Sequence, residues 1–341
     1  MIKLLNNPTF DNERNILNAD LFVNNLKNTL KAFGFHTKVS YIVYRNITVY
    51  NIKWNDDKTY EDMLKLRKEI ALSLGIRSSE LEIKKISDNE IEIAVLNMKR
   101  DVLTLKELLS EFKEDDNFKV ALGMDEYDDI VYFDFDRDKH LLVSGVTGTG
   151  KSNLFNNIIM NILINYDDIK VVVLDSQGVN YNVYNGVCEV INDEENIIDR
   201  IRSLRFEFEE KIKTGNRDRV VVLIDEIYEI LNNDSSVKDD INYLLEVANI
   251  ANINLVISSD SVTDDNIYDL FKKDNISKLC FYLTSRDEYN MFMGEAICES
   301  LNNDGMYMGK DKKLIRICVP LIGDDEIERV VNYEKEERED K

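Results

Sequence analysis

Two prolines, two histidines, four cysteines and one tryptophan in 341 residues already exclude several kinds of protein. Cys188, Cys280, Cys298 and Cys318 lie far apart with no CxxC pair, so neither a zinc knuckle nor a disulfide framework is indicated, and a reducing compartment is expected. His36 and His140 have no partner at metal-ligand spacing and read as structural. No apolar run approaches the roughly 18 residues a bilayer span needs, so no intrinsic membrane span is expected and the location reads as cytoplasmic. Acid, by contrast, is abundant: the formal charge is −22. Residues 1–100 hold 16 basic and 13 acidic side chains (net +3), which leaves −25 on the rest of the chain. A surface that acidic repels phosphate backbones, so any nucleic-acid contact there must come from local basic loops. The hydrophobic share of 44% over this length supports two domains with full cores.

The patterning divides the chain near residue 115. Before it, a helix is expected from about Asp20 to Phe33, then two β-rich runs (HTKVSYIVYR and NITVYNIK) and a helix from about Tyr60 to Leu74. LEIKKI and EIEIAVL, joined at Ser87-Asp88-Asn89, read as a hairpin with Ile91, Ile93 and Val95 at period two. Residues 1–115 are therefore expected to form a small α+β domain. Beyond, continuous apolar runs (HLLVSG, KVVVLD, RVVVLID, INLVIS, KLCFYL) alternate with helical segments, the mark of a mostly parallel sheet buried on both faces. This α/β domain is expected over 116–322, followed by a charged C-terminal helix or tail over 323–341.

The most informative stretch is HLLVSGVTGTGKSNLFNNII, where Gly145, Gly150, Lys151 and Ser152 satisfy GxxxxGK[ST] between a buried strand and an apolar-periodic helix. Such a loop curls so that backbone N–H groups and a helix N-terminus face phosphate oxygens. Gly145, Val146, Thr147, Gly148, Thr149, Gly150, Lys151, Ser152 and Asn153 are the expected ATP-binding residues, with Lys151 on the β- and γ-phosphates and the Ser152 hydroxyl on Mg²⁺. RVVVLIDEIYEI supplies the second element. Asp225 is expected to hold the metal through water, and Glu226 to polarise the attacking water. Asp175, ending KVVVLD, is a weaker candidate for the same region and serves equally well as a helix cap.

These segments, HLLVSGVTGTGKS, VVVLIDEI and ANINLVISSDSV, resemble the FtsK/SpoIIIE family of DNA-translocase motors. LKNTLKAFGFHTKVSYIVYRNITVYNIKW is similar to that family's first motor subdomain, and DGMYMGKDKKLIRICVPLIGDDEIERVVNY to its closing strands and final helix, so the likeness runs over about residues 20–333. The resemblance implies a RecA-like P-loop NTPase core that forms a homo-oligomeric ring, usually of six subunits, and drives double-stranded DNA through its channel by ATP hydrolysis. The family's membrane region and winged-helix module have no counterpart in this sequence, which implies a separate membrane-anchor or DNA-orienting protein.

Several positions depart from the family's pattern. Its Ala-Thr-Gln-Arg-Pro strand end reads Ser258, Ser259, Asp260, Ser261 and Val262, which puts an acid, Asp260, at the sensor position; an ionised carboxylate cannot donate to a γ-phosphate. A family arginine aligns with Asn249 and another with Lys278, which leaves Lys278 and Arg286 as candidates for a trans-acting finger and implies slow hydrolysis unless one serves. DNA contacts are expected from Lys272, Lys273 and Arg286. A ring ATPase that moves protein, or an ATP-binding assembly protein with weak hydrolysis, are the alternatives.

Overall fold

Where period-two alternation gives way to continuous apolar runs, the structure passes from an antiparallel to a parallel sheet. The computed structural model describes all residues except 9–12, 56, 79–80, 98–100, 114–116, 274–275, 295–303 and 340–341, and leaves the side chains of Glu82, Ala248 and Asn249 undescribed. One unit comprises Thr9–Val102 with Glu126–Asp129; the other comprises Met1–Pro8, Leu103–Asp125 and Ile130–Lys341. The boundary read from the sequence, at 115, lies outside the described residues.

The smaller unit contains α1 (Glu13–Ala32), β1 (Thr37–Val43), β2 (Ile47–Trp54), α2 (Tyr60–Lys65), α3 (Arg67–Ser73), β3 (Glu82–Ser87) and β4 (Glu90–Leu96). Its sheet is antiparallel in the order β1-β2-β4-β3. Ile91, Ile93 and Val95 turn to the same face, as the alternation requires, and pack with Val23, Leu26 and Leu30 of α1 at helical spacing. The single helix expected over 60–74 is broken at Leu66 into α2 and α3. Tyr50 and Trp54 are buried in this core, and Trp54 Nε1 donates to the Lys58 carbonyl at 2.9 Å.

The larger unit runs α4 (Leu105–Ser110), β5 (Lys119–Met124), β6 (Ile130–Asp134), α5 (Phe135–Asp138), β7 (Leu141–Ser144), α6 (Lys151–Asn165), β8 (Ile169–Asp175), β9 (Glu189–Ile191), α7 (Glu194–Thr214), β10 (Arg219–Asp225), α8 (Ile227–Asn233), α9 (Val237–Val247), β11 (Ile253–Ser259), α10 (Asp265–Phe271), β12 (Ser277–Cys280), α11 (Arg286–Met293), β13 (Gly305–Met308), β14 (Leu314–Ile317) and α12 (Asp324–Glu339). Its main sheet has the order β14-β13-β12-β7-β11-β10-β8-β9, parallel from β12 to β9, with β13 and β14 antiparallel at one edge. Apolar side chains from β7, β8, β10 and β11 are buried on both faces of the sheet. Leu154, Phe155 and Ile158 of α6 pack on one face, Ile201, Leu204 and Ile241 of α7 and α9 on the other. The mostly parallel α/β core expected from the apolar runs is present. The C-terminal segment expected as a charged helix or tail is a helix, because Ile327, Val330 and Val331 form a buried stripe ahead of its charged end.

A polar row fixes the helix that follows the glycine loop. Asn153, Asn157 and Asn161 recur every four residues on α6, and Asn157 and Asn161 are fully buried. Asn157 Nδ2 donates to the carbonyls of Ala121 and Leu122, and Asn161 Oδ1 accepts from Ala121 N at 3.0 Å. The register of β5 against β6 shifts between Ala121 and Gly123, so asparagines from the helix satisfy backbone groups beside an irregularity in the strand pairing.

Candidate active site

Strand β7 lies between β11 and β12, and its C-terminal end opens into the glycine loop. The loop is pinned from below. Phe281 N donates to the Ser144 carbonyl at 2.7 Å, Val146 N to the Tyr282 carbonyl at 2.9 Å, and Thr149 Oγ1 to the Val146 carbonyl at 2.7 Å. A Cβ at Gly145 would fall 2.7 Å from both Phe281 Cβ and Thr149 Oγ1, so the first motif glycine is demanded by this close approach. Gly150, at φ 117°, lies over the Phe281 ring and opens α6 with no side-chain cap. The first turn of a 15-residue helix thus begins at the loop, the arrangement that suits phosphate. Thr147 and Gly148 are exposed at the tip. Asn153 turns the other way, donating to the Pro320 carbonyl at 2.6 Å and accepting from Ile322 N at 3.1 Å.

Lys151, Asp225 and Glu226 meet at this edge. Lys151 Nζ donates to the Gly145 carbonyl at 2.6 Å and lies 2.9 Å from Glu226 Oε1, with both side chains more than nine-tenths buried. Glu226 has left-handed backbone angles (φ 54°, ψ 62°) where β10 turns into α8, a strained conformation of the kind found at functional sites. Its second oxygen accepts from Asp260 N at 2.9 Å, and its own N–H donates to Ser258 Oγ at 3.0 Å. Ser258 Oγ in turn donates to Asp225 Oδ1 at 2.5 Å, while the Tyr181 hydroxyl donates to Asp225 Oδ2 at 2.9 Å. Burial pushes both acids up from the ordinary carboxylate range, and these hydrogen bonds and the Lys151 charge oppose it. Burial, reinforced by Asp225, raises the Tyr181 hydroxyl well above the usual tyrosine value, so it acts as a proton donor.

Asp175 stands directly across from Asp225 in the β8–β10 register and is fully buried. One oxygen accepts from Asn180 N at 2.9 Å; the other has no hydrogen-bond partner among the described residues. Ser152 and Asp225 are hard oxygen donors at one strand edge, with a spare buried acceptor on Asp175 beside them, and this set fits Mg²⁺. Among the described residues no group of three or more His, Cys, Asp or Glu is placed to hold a metal ion by itself.

The peripheral candidates lie elsewhere. Asp260 reaches the site through its backbone N–H. Lys278 is buried, with Nζ donating to the Phe292 carbonyl at 2.7 Å. Arg286 begins α11 behind a Ser285 capping box and is exposed. Lys272 pairs with Asp269 at 2.7 Å and Lys273 with Glu246 at 3.1 Å. Asn249, aligned with the family's arginine, has no described side chain. Sequence reasoning missed Tyr181 and Ser258. Tyr181 sits in GVNYNVY without a motif, and Ser258 lies near the end of an apolar strand that gave no hint of its two bonds.

A glycine loop on the central strand of a parallel sheet, with a lysine and an acidic pair at its carboxyl edge, defines the P-loop ATPase class. The model of the FtsK/SpoIIIE family matches residues 108–261 of this chain. It is 27% identical to the DNA translocase FtsK of Staphylococcus aureus over 92% of its length, covering 45% of that protein. With the FtsK of Bacillus cereus the identity is 26%, over 98% of this chain and 47% of the relative. The chain therefore spans about half the length of these curated relatives. Among solved structures, the pCW3 conjugation coupling protein TcpA, in its monomer form with ATPγS, shares the fold at TM-score 0.61 and 14% identity, covering 93% of this chain and 99% of that one. The cytoplasmic domain of the Thermomonospora curvata type VII secretion ATPase EccC matches at TM-score 0.58 and 14% identity, covering 68% of this chain and 34% of that one. Among the described residues no helix is long and apolar enough to cross a membrane.

Proposed function

We propose that the chain hydrolyses ATP with Mg²⁺ and uses the cycle to move double-stranded DNA through a homo-oligomeric ring. The observation that carries the ATPase reading is the convergence of Lys151, Ser152, Asp225 and Glu226 at the carboxyl edge of the sheet. Lys151 would leave the Glu226 carboxylate for the β- and γ-phosphates, and the loop backbone with the α6 N-terminus would hold the remaining oxygens. Ser152 and Asp225 would hold the metal, which supplies charge neutralisation at the phosphates. Glu226, once released by Lys151, accepts the proton of the attacking water, and the Asp260 N–H keeps its second oxygen in place.

The DNA reading rests on the family and on relatives named as DNA translocases. Lys272 and Lys273 are exposed or half-buried and already paired with acids, so duplex phosphate would exchange with Asp269 and Glu246 and binding would weaken steeply with salt. Arg286 is the proposed trans-acting finger. ATP turnover measured with and without long duplex DNA tests both readings, since turnover lost in Lys151→Ala supports the site and stimulation by DNA supports the substrate.

A second reading, an assembly ATPase with weak hydrolysis, draws on Asp260, whose carboxylate raises the proton affinity of Glu226 where a donor would assist it. Turnover near background under all conditions, with intact nucleotide binding, would favour it.

A further inference from the structure

The proposed metal ligands leave two neighbouring side chains without an assigned role. Tyr181, fully buried beside Phe155, places its hydroxyl 2.9 Å from Asp225 Oδ2. Asp175 faces Asp225 from the adjacent strand. As a loop cap Asp175 needs only Oδ2, which accepts from Asn180 N; Oδ1 remains a buried acceptor without a partner among the described residues. Two in-register aspartates on neighbouring parallel strands, both buried, are an unfavourable pairing unless a positive charge offsets it. The described ammonium at this edge, that of Lys151, is bonded to Glu226 and the Gly145 carbonyl. A divalent cation with bound waters meets both needs, a counter-charge and donors for Oδ1.

We propose that Tyr181 and Asp175 are positioning residues for the metal, Tyr181 by fixing Asp225 through its hydroxyl and Asp175 by accepting from metal-bound water. The proposal rests on the ATPase reading above. A carboxylate held by a neighbour's O–H cannot rotate away from its ligand position, and partners of this kind typically set metal affinity by ten- to a hundred-fold.

The test measures binding of a fluorescent non-hydrolysable ATP analogue to the full chain, first in chelator and then across a Mg²⁺ titration, for wild type, Tyr181→Phe, Asp175→Asn and Ser152→Ala. Phenylalanine keeps the ring packing, and asparagine keeps the oxygen that accepts from Asn180. The expected result is chelator affinity within about two-fold of wild type in both variants. The Mg²⁺ concentration giving half the metal-dependent gain should rise about 10- to 100-fold. Ser152→Ala should behave similarly. A purely structural role would instead lower the chelator affinity and leave the metal midpoint in place, and that outcome overturns the proposal, as does an unchanged midpoint in both variants. If Tyr181→Phe does not fold, Asp175→Asn decides alone. Wild type that binds no analogue at all would instead overturn the ATPase reading.

Discussion

Replacing Glu226 by glutamine should make the nucleotide-free protein less stable and its nucleotide complex tighter. The carboxylate accepts two bonds in the buried site, one from Lys151 at 2.9 Å and one from Asp260 N at 2.9 Å. A glutamine amide has one acceptor oxygen, so one of these donors loses its partner, at a cost of about 1–3 kcal/mol. Nucleotide binding moves the other way. In the wild type the phosphates must take Lys151 from a buried carboxylate, a charge-assisted bond worth about 1.5–3 kcal/mol. With a neutral amide roughly half of that opposition remains, so about 1–1.5 kcal/mol is returned to binding, on the order of a 5- to 10-fold lower Kd. Denaturant unfolding without nucleotide gives the first quantity, and titration with a non-hydrolysable ATP analogue gives the second without interference from turnover. A glutamine variant that binds the analogue equally or more weakly, while unfolding as wild type does, would refute the idea that the Lys151–Glu226 pair opposes nucleotide entry.

Three further outcomes follow from other parts of the larger unit. Gly145→Ala should abolish analogue binding, since the added methyl meets Phe281 and Thr149 at 2.7 Å; retained binding would mean that the loop relaxes freely. Asn161→Leu should cost about 1–3 kcal/mol, a fall in melting temperature of roughly 2–10 °C, because the buried Ala121 N–H loses its acceptor. His140 accepts from Leu255 N through Nδ1, and burial lowers its pKa to about 3. The unfolded chain, with an ordinary value near 6.5, binds a proton first as pH falls, so stability is present above that value and is lost progressively below it. Between pH 7 and pH 5 the wild type should lose about 2 kcal/mol more than His140→Gln, and parallel stability curves would contradict this.

The fold was legible wherever patterning is strong. Continuous apolar runs announced the parallel strands, alternation announced the β3–β4 hairpin, and GxxxxGK[ST] placed the loop between β7 and α6. Less legible were features that depend on distant partners. The sequence shows a charged ending after Val331, and the short stripe of Ile327, Val330 and Val331 gains its meaning only against the core it covers. The burial of Lys278, whose ammonium donates to the Phe292 carbonyl, could not be read from alignment. Tyr181 and Ser258 became visible only when folding brought residues 44 and 33 positions apart to Asp225.

The central claim, an ATP-driven DNA motor, is tested most directly by ATP turnover of the intact chain with and without long duplex DNA, at low and moderate salt, with Lys151→Ala as control. The account predicts turnover that rises with DNA, loses that rise as salt increases, and disappears in the variant. Turnover indifferent to DNA at both salts, or persisting in Lys151→Ala, would contradict it.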